Sequence, residues 1–383
     1  MSEVSEASRP VPPRMVESEF LRQMKQLQGP DERPVQRARM ANLVIYCTSQ
    51  ERAAQLNREI PDVIAAHPAR VLLLIADAES SSAELTTTVL VRPLHVGSQG
   101  FNFSEQVTLE VGRGAVHHLP FAVRALLIGD LPTNVWWATA TAPPFAGPIL
   151  HELAEHSQQI VYDSMGWTDP ARAVAATAGW LEQMERSPSL LSLQGEEGRG
   201  KRWRVASDIN WRRLKYWRRM LTQSLEGAED RGLSGSANEI LVEHGPHAVV
   251  QAWMLMSWLT GQLGWNVRTG KVESGVEMVW HFSGPTGEPL VRIRRRDDGP
   301  HEIQRIRIGC RLDGRDSALD LFVQDGKRLA VSVEGVGEMP RTMTIPPHSP
   351  AELVGRQLSD RERDPVFRAS MSVAQVMARS LLE

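Results

Sequence analysis

The sequence predicts an α/β N-terminal domain with a mixed sheet, followed by an α+β C-terminal domain with a mainly antiparallel sheet. Three observations lead there. Two short apolar runs rich in β-formers, Ala41–Ser49 and Arg70–Asp77, flank the helical stretch Gln50–Pro68, which is the signature of a parallel βαβ unit. The runs Glu84–Pro93 and Glu105–Gly112 are β-branched and joined by a Gly-containing loop, so they add an antiparallel pair to that sheet. Beyond residue 237, five β-prone runs follow one another with a single long apolar helix before them. The length of 383 residues, more than one core usually takes, fits two domains.

The order of elements sets the boundaries. Residues 1–34 hold a tail and a lead-in helix, with Phe20, Leu21, Met24 and Leu27 at helical spacing. Residues 35–190 form the α/β domain. Within it, Leu56, Ile60, Val63 and Ile64 give the first crossover helix its apolar face. Pro120–Asp130 and Ile149–Gln159 read as helices, and Asn134–Ala140 and Gln159–Met165 as strands. Asp169–Glu185 is a helix capped by Asp169 with Pro170 at its first position. Residues 191–206 form a Gly-rich, charged linker, and residues 207–383 the α+β domain. There, Glu239–His244 leads into the apolar helix Ala248–Leu263. The strands Val276–Gly284, Pro289–Asp297, Ile303–Leu312, Leu319–Asp325 and Arg328–Gly335 follow, and the helix Asp364–Leu382 ends the domain. Along Ile303–Leu312 the alternation slips phase between Ile303 and Ile306, which leaves two readings open, a bulge or a different strand register.

Composition and motifs narrow the function by exclusion. A net charge of -3 argues against a surface that grips phosphate backbones as a whole. Cys47 and Cys310 stand alone and far apart, so no disulfide framework is expected and the compartment is a reducing one. The N-terminus has no apolar core to act as a secretory signal, and Ala248–Leu259 is too short to span a bilayer. A cytoplasmic protein with no membrane contact is expected. Gly195–Arg202 nearly matches a phosphate loop, but Arg202 stands where a hydroxyl should hold Mg²⁺. His151 and His156 are five apart, which on a helix points them away from a shared metal. His117 and His118, taken as strand neighbours, also diverge. No nucleophile elbow or dinucleotide fingerprint is present, so no catalytic, cofactor or metal site is expected.

The richest segment is "SDINWRRLKYWRRML", Ser207–Leu221, with three aromatic and five basic side chains in fifteen residues. Set on one helix from Ile209 to Leu225, Trp211, Leu214, Trp217, Leu221 and Leu225 share one arc, while Arg212, Lys215 and Arg219 oppose it. Arg218 falls inside the apolar arc, where it must snorkel, stack on Trp or meet a carboxylate. Asp208 is placed to cap the helix. Tryptophans that side with leucines are buried, so nucleic-acid binding is disfavoured.

This segment resembles the D-x-N-W-x-R-L-x-x-W-R stretch of the OpcA family of glucose-6-phosphate dehydrogenase assembly proteins, through Asp208, Asn210, Trp211, Arg213, Leu214, Trp217 and Arg218. His67–Asp77 resembles the family's H-P-[AS]-R strand, with His67 and Arg70 in place. Gly129–Thr139 resembles its D-L-P-x-x-[LV]-W-W element, with Trp136 and Trp137. The run "ARMANLVIYC", Ala38–Cys47, and the strand Gln159–Ser164 also agree in order, with a weaker echo at Arg363–Met371. The resemblance implies a non-catalytic partner that binds glucose-6-phosphate dehydrogenase, supports its assembly and activates it allosterically in the oxidative pentose phosphate pathway. It makes Asp208, Asn210, Trp211, Arg213, Trp217, Arg218, His67, Arg70, Trp136 and Trp137 the candidate motif or partner-binding residues. Two other readings stay open: an α/β enzyme or sugar-phosphate or nucleotide binder, and a nucleic-acid binder.

Overall fold

The computed structural model describes residues 10–28, 36–37, 39–95, 101–186, 204–229, 236–312, 315–334 and 341–383. The N-terminal half runs α1 (Val16–Gln28), β1 (Gln36–Arg37), β2 (Ala41–Cys47), α2 (Gln50–Ala66), β3 (Ala69–Asp77), β4 (Thr86–His95), β5 (Phe101–Gly112), α3 (Leu119–Leu126), β6 (Thr133–Trp137), α4 (Pro148–Ala154), β7 (Gln159–Tyr162), α5 (Pro170–Arg186) and β8 (Val205–Asp208). Its sheet has the order β1-β5-β3-β2-β6-β7-β8, all parallel, and β4 adds an antiparallel partner to β5. The mixed sheet expected from sequence is therefore present. β8 starts within the stretch that the sequence assigns to the linker, and its four residues extend the first sheet beyond β7. The phosphate-loop-like run Gly195–Arg202 lies outside the described residues.

Strand alternation divides the first half into two cores. Leu43, Ile45, Val71, Leu73 and Trp136 face α2, whose Leu56, Ile60, Val63 and Ile64 are all buried against them. Val44, Tyr46, Leu72, Leu74 and Trp137 face the opposite core, which continues into the second half of the chain. Three sequence expectations shift. In α1, Val16, Phe20 and Met24 are buried, whereas Leu21 and Leu27 are half exposed, because the helix rests on β4 along one i, i+4 stripe only. α4 stops at Ala154. His117 and His118 lie in a 3-10 turn rather than a strand, with ring centroids 4.0 Å apart.

The C-terminal half runs α6 (Ile209–Arg213), α7 (Lys215–Glu229), β9 (Ala237–His244), α8 (Val249–Gln262), β10 (Asn266–Glu273), β11 (Glu277–Ser283), β12 (Leu290–Arg295), β13 (Ile303–Leu312), β14 (Arg315–Gln324), β15 (Arg328–Val333), β16 (Arg341–Thr344), α9 (Pro350–Ser359) and α10 (Pro365–Leu382). Its sheet has the order β10-β11-β12-β9-β13-β14-β15-β16. Only the pair of β9 and β12 is parallel, so the sheet is mainly antiparallel, as the sequence predicts. The register between β13 and β9 shifts between Ile303 and Arg305, where the phase slip falls. Val291, Ile293, Ile306 and Ile308 point into the core, while Arg294 pairs with Glu277 and Arg305 with Asp320 on the other face.

α8 is mostly apolar and buried along nearly its whole length. Trp253 on it meets Trp280 of β11 at 5.0 Å, and the Trp280 indole donates to the Met377 carbonyl of α10 at 3.0 Å. α10 packs against α8 and also against α5, and α9 packs against α2. The last two helices thus return to the first domain. Ala351, Leu353, Val354 and Leu358 of α9 complete the core on the α2 face of the first sheet. Neither α9 nor the edge strands β10 and β16 is expected from sequence, since β10 and β16 lack the alternation that a half-buried strand shows.

Candidate functional site

The residues of the Ser207–Leu221 segment converge at the carboxyl ends of β7 and β8, where the two halves of the chain meet. Asp163 and Ser164 follow β7, and Asp208 ends β8 and caps α6. The Asp208 carboxylate accepts from the backbone N–H of Asn210 at 2.9 Å and of Ser164 at 3.2 Å. The Asn210 amide donates to the Ser164 hydroxyl at 2.9 Å and accepts from Arg213 at 2.7 Å. Arg213 then grips Asp163 with both ends of its fork, at 2.7 and 2.9 Å. These side chains, drawn from separate elements, are locked in one polar network, with Asn210 wholly buried. On the far side, the Gly166 N–H donates to the His247 carbonyl and Arg213 approaches Glu302, both in the second half.

Burial shapes the electrostatics. The Asp208 carboxyl is pushed up to about 7 by desolvation and then by the Asp163 charge, against the bonds it accepts from Ser164 and Asn210. Arg213 is held above its ordinary value: its own desolvation, the largest single influence, is outweighed by the bond to Asp163 and the charges of Asp163, Glu302 and Asp208 together.

The predicted single helix is two. α6 ends at Arg213, and Leu214, at ψ -5°, tightens the chain before α7. The reason is tertiary: α6 packs on α8 and α9, whereas α7 packs on β15. The apolar arc survives the break, with Trp211, Leu214, Trp217 and Leu221 buried and Leu225 partly so. Arg212, placed opposite the apolar arc, does not point to water. It donates to the Gln357 side chain and pairs with Asp360, both at the end of α9. Arg218 stacks, its guanidinium carbon 3.5 Å from the Trp211 ring centroid. The Trp211 indole donates to Asp364, the cap of α10, at 2.6 Å. Replacing Trp211→Phe removes that bond and part of the stack, and is expected to cost about 2 kcal/mol in urea unfolding.

The other candidates sit apart from this site. Arg70 is buried in the first domain, where it pairs with Glu105 and Glu17 and donates to the Leu126 carbonyl. His67 ends α2 and is buried, and desolvation lowers its pKa. Trp136 lies in the α2 core, while Trp137 stacks on Tyr46 at 4.5 Å and donates to the Thr141 carbonyl. Cys47 and Cys310 are free and buried, and desolvation pushes the Cys47 thiol up to about 11. Sequence reasoning missed Asp163, Gln357, Asp360 and Glu302 as partners of the segment. For Asp163 a signal existed in the strand ending at Ser164, and for Asp364 in the Asp-Pro start of α10. No group of three His, Cys, Asp or Glu that could hold a metal is found among the described residues.

Beside the network lies a cavity of about 360 Å³, bounded by α5, β8, the α6–α7 break and the turn from α9 to α10. Its wall includes Asp208, Trp211, Arg212 and Arg218, so it opens directly against the segment.

The profile described as glucose-6-phosphate dehydrogenase subunit N-terminal domain matches residues 61–179, and that described as its C-terminal domain matches residues 204–371. The chain belongs to the OpcA family. It is 25% identical over 171 residues to a protein of Nostoc punctiforme named OxPP cycle protein OpcA, covering 45% of this chain and 32% of that one. It is 22% identical over 171 residues to the protein of the same name from Synechococcus elongatus, covering 45% of this chain and 34% of that one. The chain thus matches about a third of the length of these curated relatives. Among solved structures, it overlaps with the transcriptional regulator Gal80p from Kluyveromyces lactis at TM-score 0.47 and 8% identity, over 90% of this chain and 92% of that one. A glucose-6-phosphate dehydrogenase with its substrate overlaps at 0.45 and 8%, over 89% and 92%.

Among the described residues, no helix is long and apolar enough to cross a membrane.

Proposed function

We propose that the chain is a non-catalytic partner of glucose-6-phosphate dehydrogenase, which it binds, helps to assemble and activates allosterically in the oxidative pentose phosphate pathway. The observation that supports this reading is the match of both halves, in order, to the OpcA family. An activator must bind the active form of its target more tightly than the inactive one, and coupling of this kind is typically about 1–3 kcal/mol, or roughly 5- to 150-fold. Binding energy for that purpose comes from exposed anchors. Trp136, Trp137, Trp211 and Trp217 are each at most 5% exposed, so in this reading their role is to hold the surface in shape. Phe121 on α3 is 79% exposed and is the best-placed aromatic anchor.

Size-exclusion chromatography of the chain mixed with the dehydrogenase of its own organism, with kcat and KM of that enzyme measured in parallel, tests the proposal. Co-elution and a raised rate are expected. Substituting Phe121→Asp is expected to weaken the complex by about tenfold or more while leaving thermal unfolding unchanged. Absence of both co-elution and any change in rate or KM sinks the reading.

A further inference from the structure

We propose that the cavity beside α6 binds a small organic phosphate, of the size of a sugar phosphate. The first ground is charge. Seven Lys and Arg side chains line the cavity against four carboxylates, in a protein whose net charge is -3. The second ground is the state of two of those cations. Arg204 is 7% exposed, yet its Nε has no acceptor. Arg218 is desolvated against the Trp211 ring, and its Nε is also without an acceptor. Its Nη2 donates to the Trp211 carbonyl at 3.3 Å, and Asp364, whose charge acts on it, accepts from the Trp211 indole. Arg204 and Arg218 both line the cavity, and a guanidinium donor buried without an acceptor is costly, so an anion held in the cavity offsets the charge that these two groups bring to its wall.

The shape selects the ligand. About 360 Å³ is within the range of small-molecule pockets and far too small for a nucleic acid or a folded partner. The guanidinium fork suits a phosphate group, which can accept two parallel bonds. One side of the cavity is formed by β8, the last strand of its sheet among the described residues. On another side the rings of Tyr216 and His348 lie with centroids 6.2 Å apart and planes inclined by 27°, and Leu181 and Phe367 add apolar wall. An anion hole beside an apolar and aromatic wall fits a phosphorylated organic body better than inorganic phosphate alone.

This inference stands apart from the dehydrogenase reading, since it is tested on the chain by itself. Isothermal titration calorimetry with the full chain uses three probes: a hexose 6-phosphate, inorganic phosphate and the unphosphorylated hexose. The hexose phosphate is expected to bind saturably, inorganic phosphate to compete with it, and the free hexose to give no heat. Arg218→Gln is expected to weaken binding by about 10- to 100-fold, the worth of a hydrogen bond to a charged group. Lys215→Ala, at the exposed rim, is expected to weaken it by a few-fold without touching the fold. The proposal is overturned if the folded chain gives no heat with either phosphate at millimolar concentration, or if the free hexose binds as well as its phosphate. Unchanged affinity in both variants overturns it too. So does a cavity that takes an acidic segment of the dehydrogenase, in which case Arg218→Gln weakens the protein complex and no hexose phosphate binds.

Discussion

Arg213→Met is expected to lower stability by about 3 kcal/mol, at the lower end of what breaking a buried ion pair costs. The Arg213 side chain is 9% exposed and holds Asp163 by two bonds and Asn210 by a third. Methionine fills much of the volume, but it strands the Asp163 charge and leaves the buried Asn210 oxygen without its donor. Asp163 is 27% exposed, so water relieves part of the loss, and for that reason the lower end of the range applies. Arg213→Lys keeps the charge but not the fork, and is expected to lose about half as much. Adding Asp163→Asn to Arg213→Met should recover part of the loss, because no carboxylate is then stranded. Urea denaturation of the four proteins measures this. A single Arg213→Met variant within about 0.5 kcal/mol of the parent would remove Arg213 as the pin of the domain junction.

The second expected result is a pH dependence centred on Asp208. Its carboxyl titrates near 3.8 in an unfolded chain and at about 7 in the folded one. Between those values the native state holds a proton that the unfolded state has released, so stability falls as pH rises. The contribution of Asp208 is complete below about pH 4, and it is lost as pH rises to and through 7. The ceiling is on the order of 4 kcal/mol, from the size of the shift. Asp208→Asn removes the titration while keeping an oxygen that can accept from Ser164 and Asn210. The difference in unfolding free energy between parent and variant should therefore change with pH from about 4 to 7, moving in favour of the variant, and flatten above about 8. A difference that stays level across that range would falsify the assignment.

Much of the segment was legible because local chemistry determines it. An aspartate before a helical run caps it, and Asp208 does. Tryptophans at the spacing of leucines are buried with them, and Trp211 and Trp217 are. An arginine inside an apolar arc must stack or pair, and Arg218 stacks. The register shift in β13 was also readable, since a slipped alternation can bury both isoleucines only if the register shifts. Asp163, Glu302, Gln357 and Asp360 were not legible as partners of the segment, because each is a long way from it in sequence. Nothing in a run of residues tells which distant carboxylate its arginines will find.

By itself the sequence determined the two sheets, the order of their main strands and helices, and the family to which the chain belongs. Those follow from hydrophobic period, turn residues and caps, which act over a few residues each. Only the tertiary structure decided that β8 closes the first sheet, that α9 covers α2, and that the helix after Asp208 breaks at Leu214. Each depends on which surface is left uncovered when the rest has packed, and the break arises because α6 and α7 serve different surfaces. The cavity and its unpaired guanidinium nitrogens belong to the same class, since they exist only between elements.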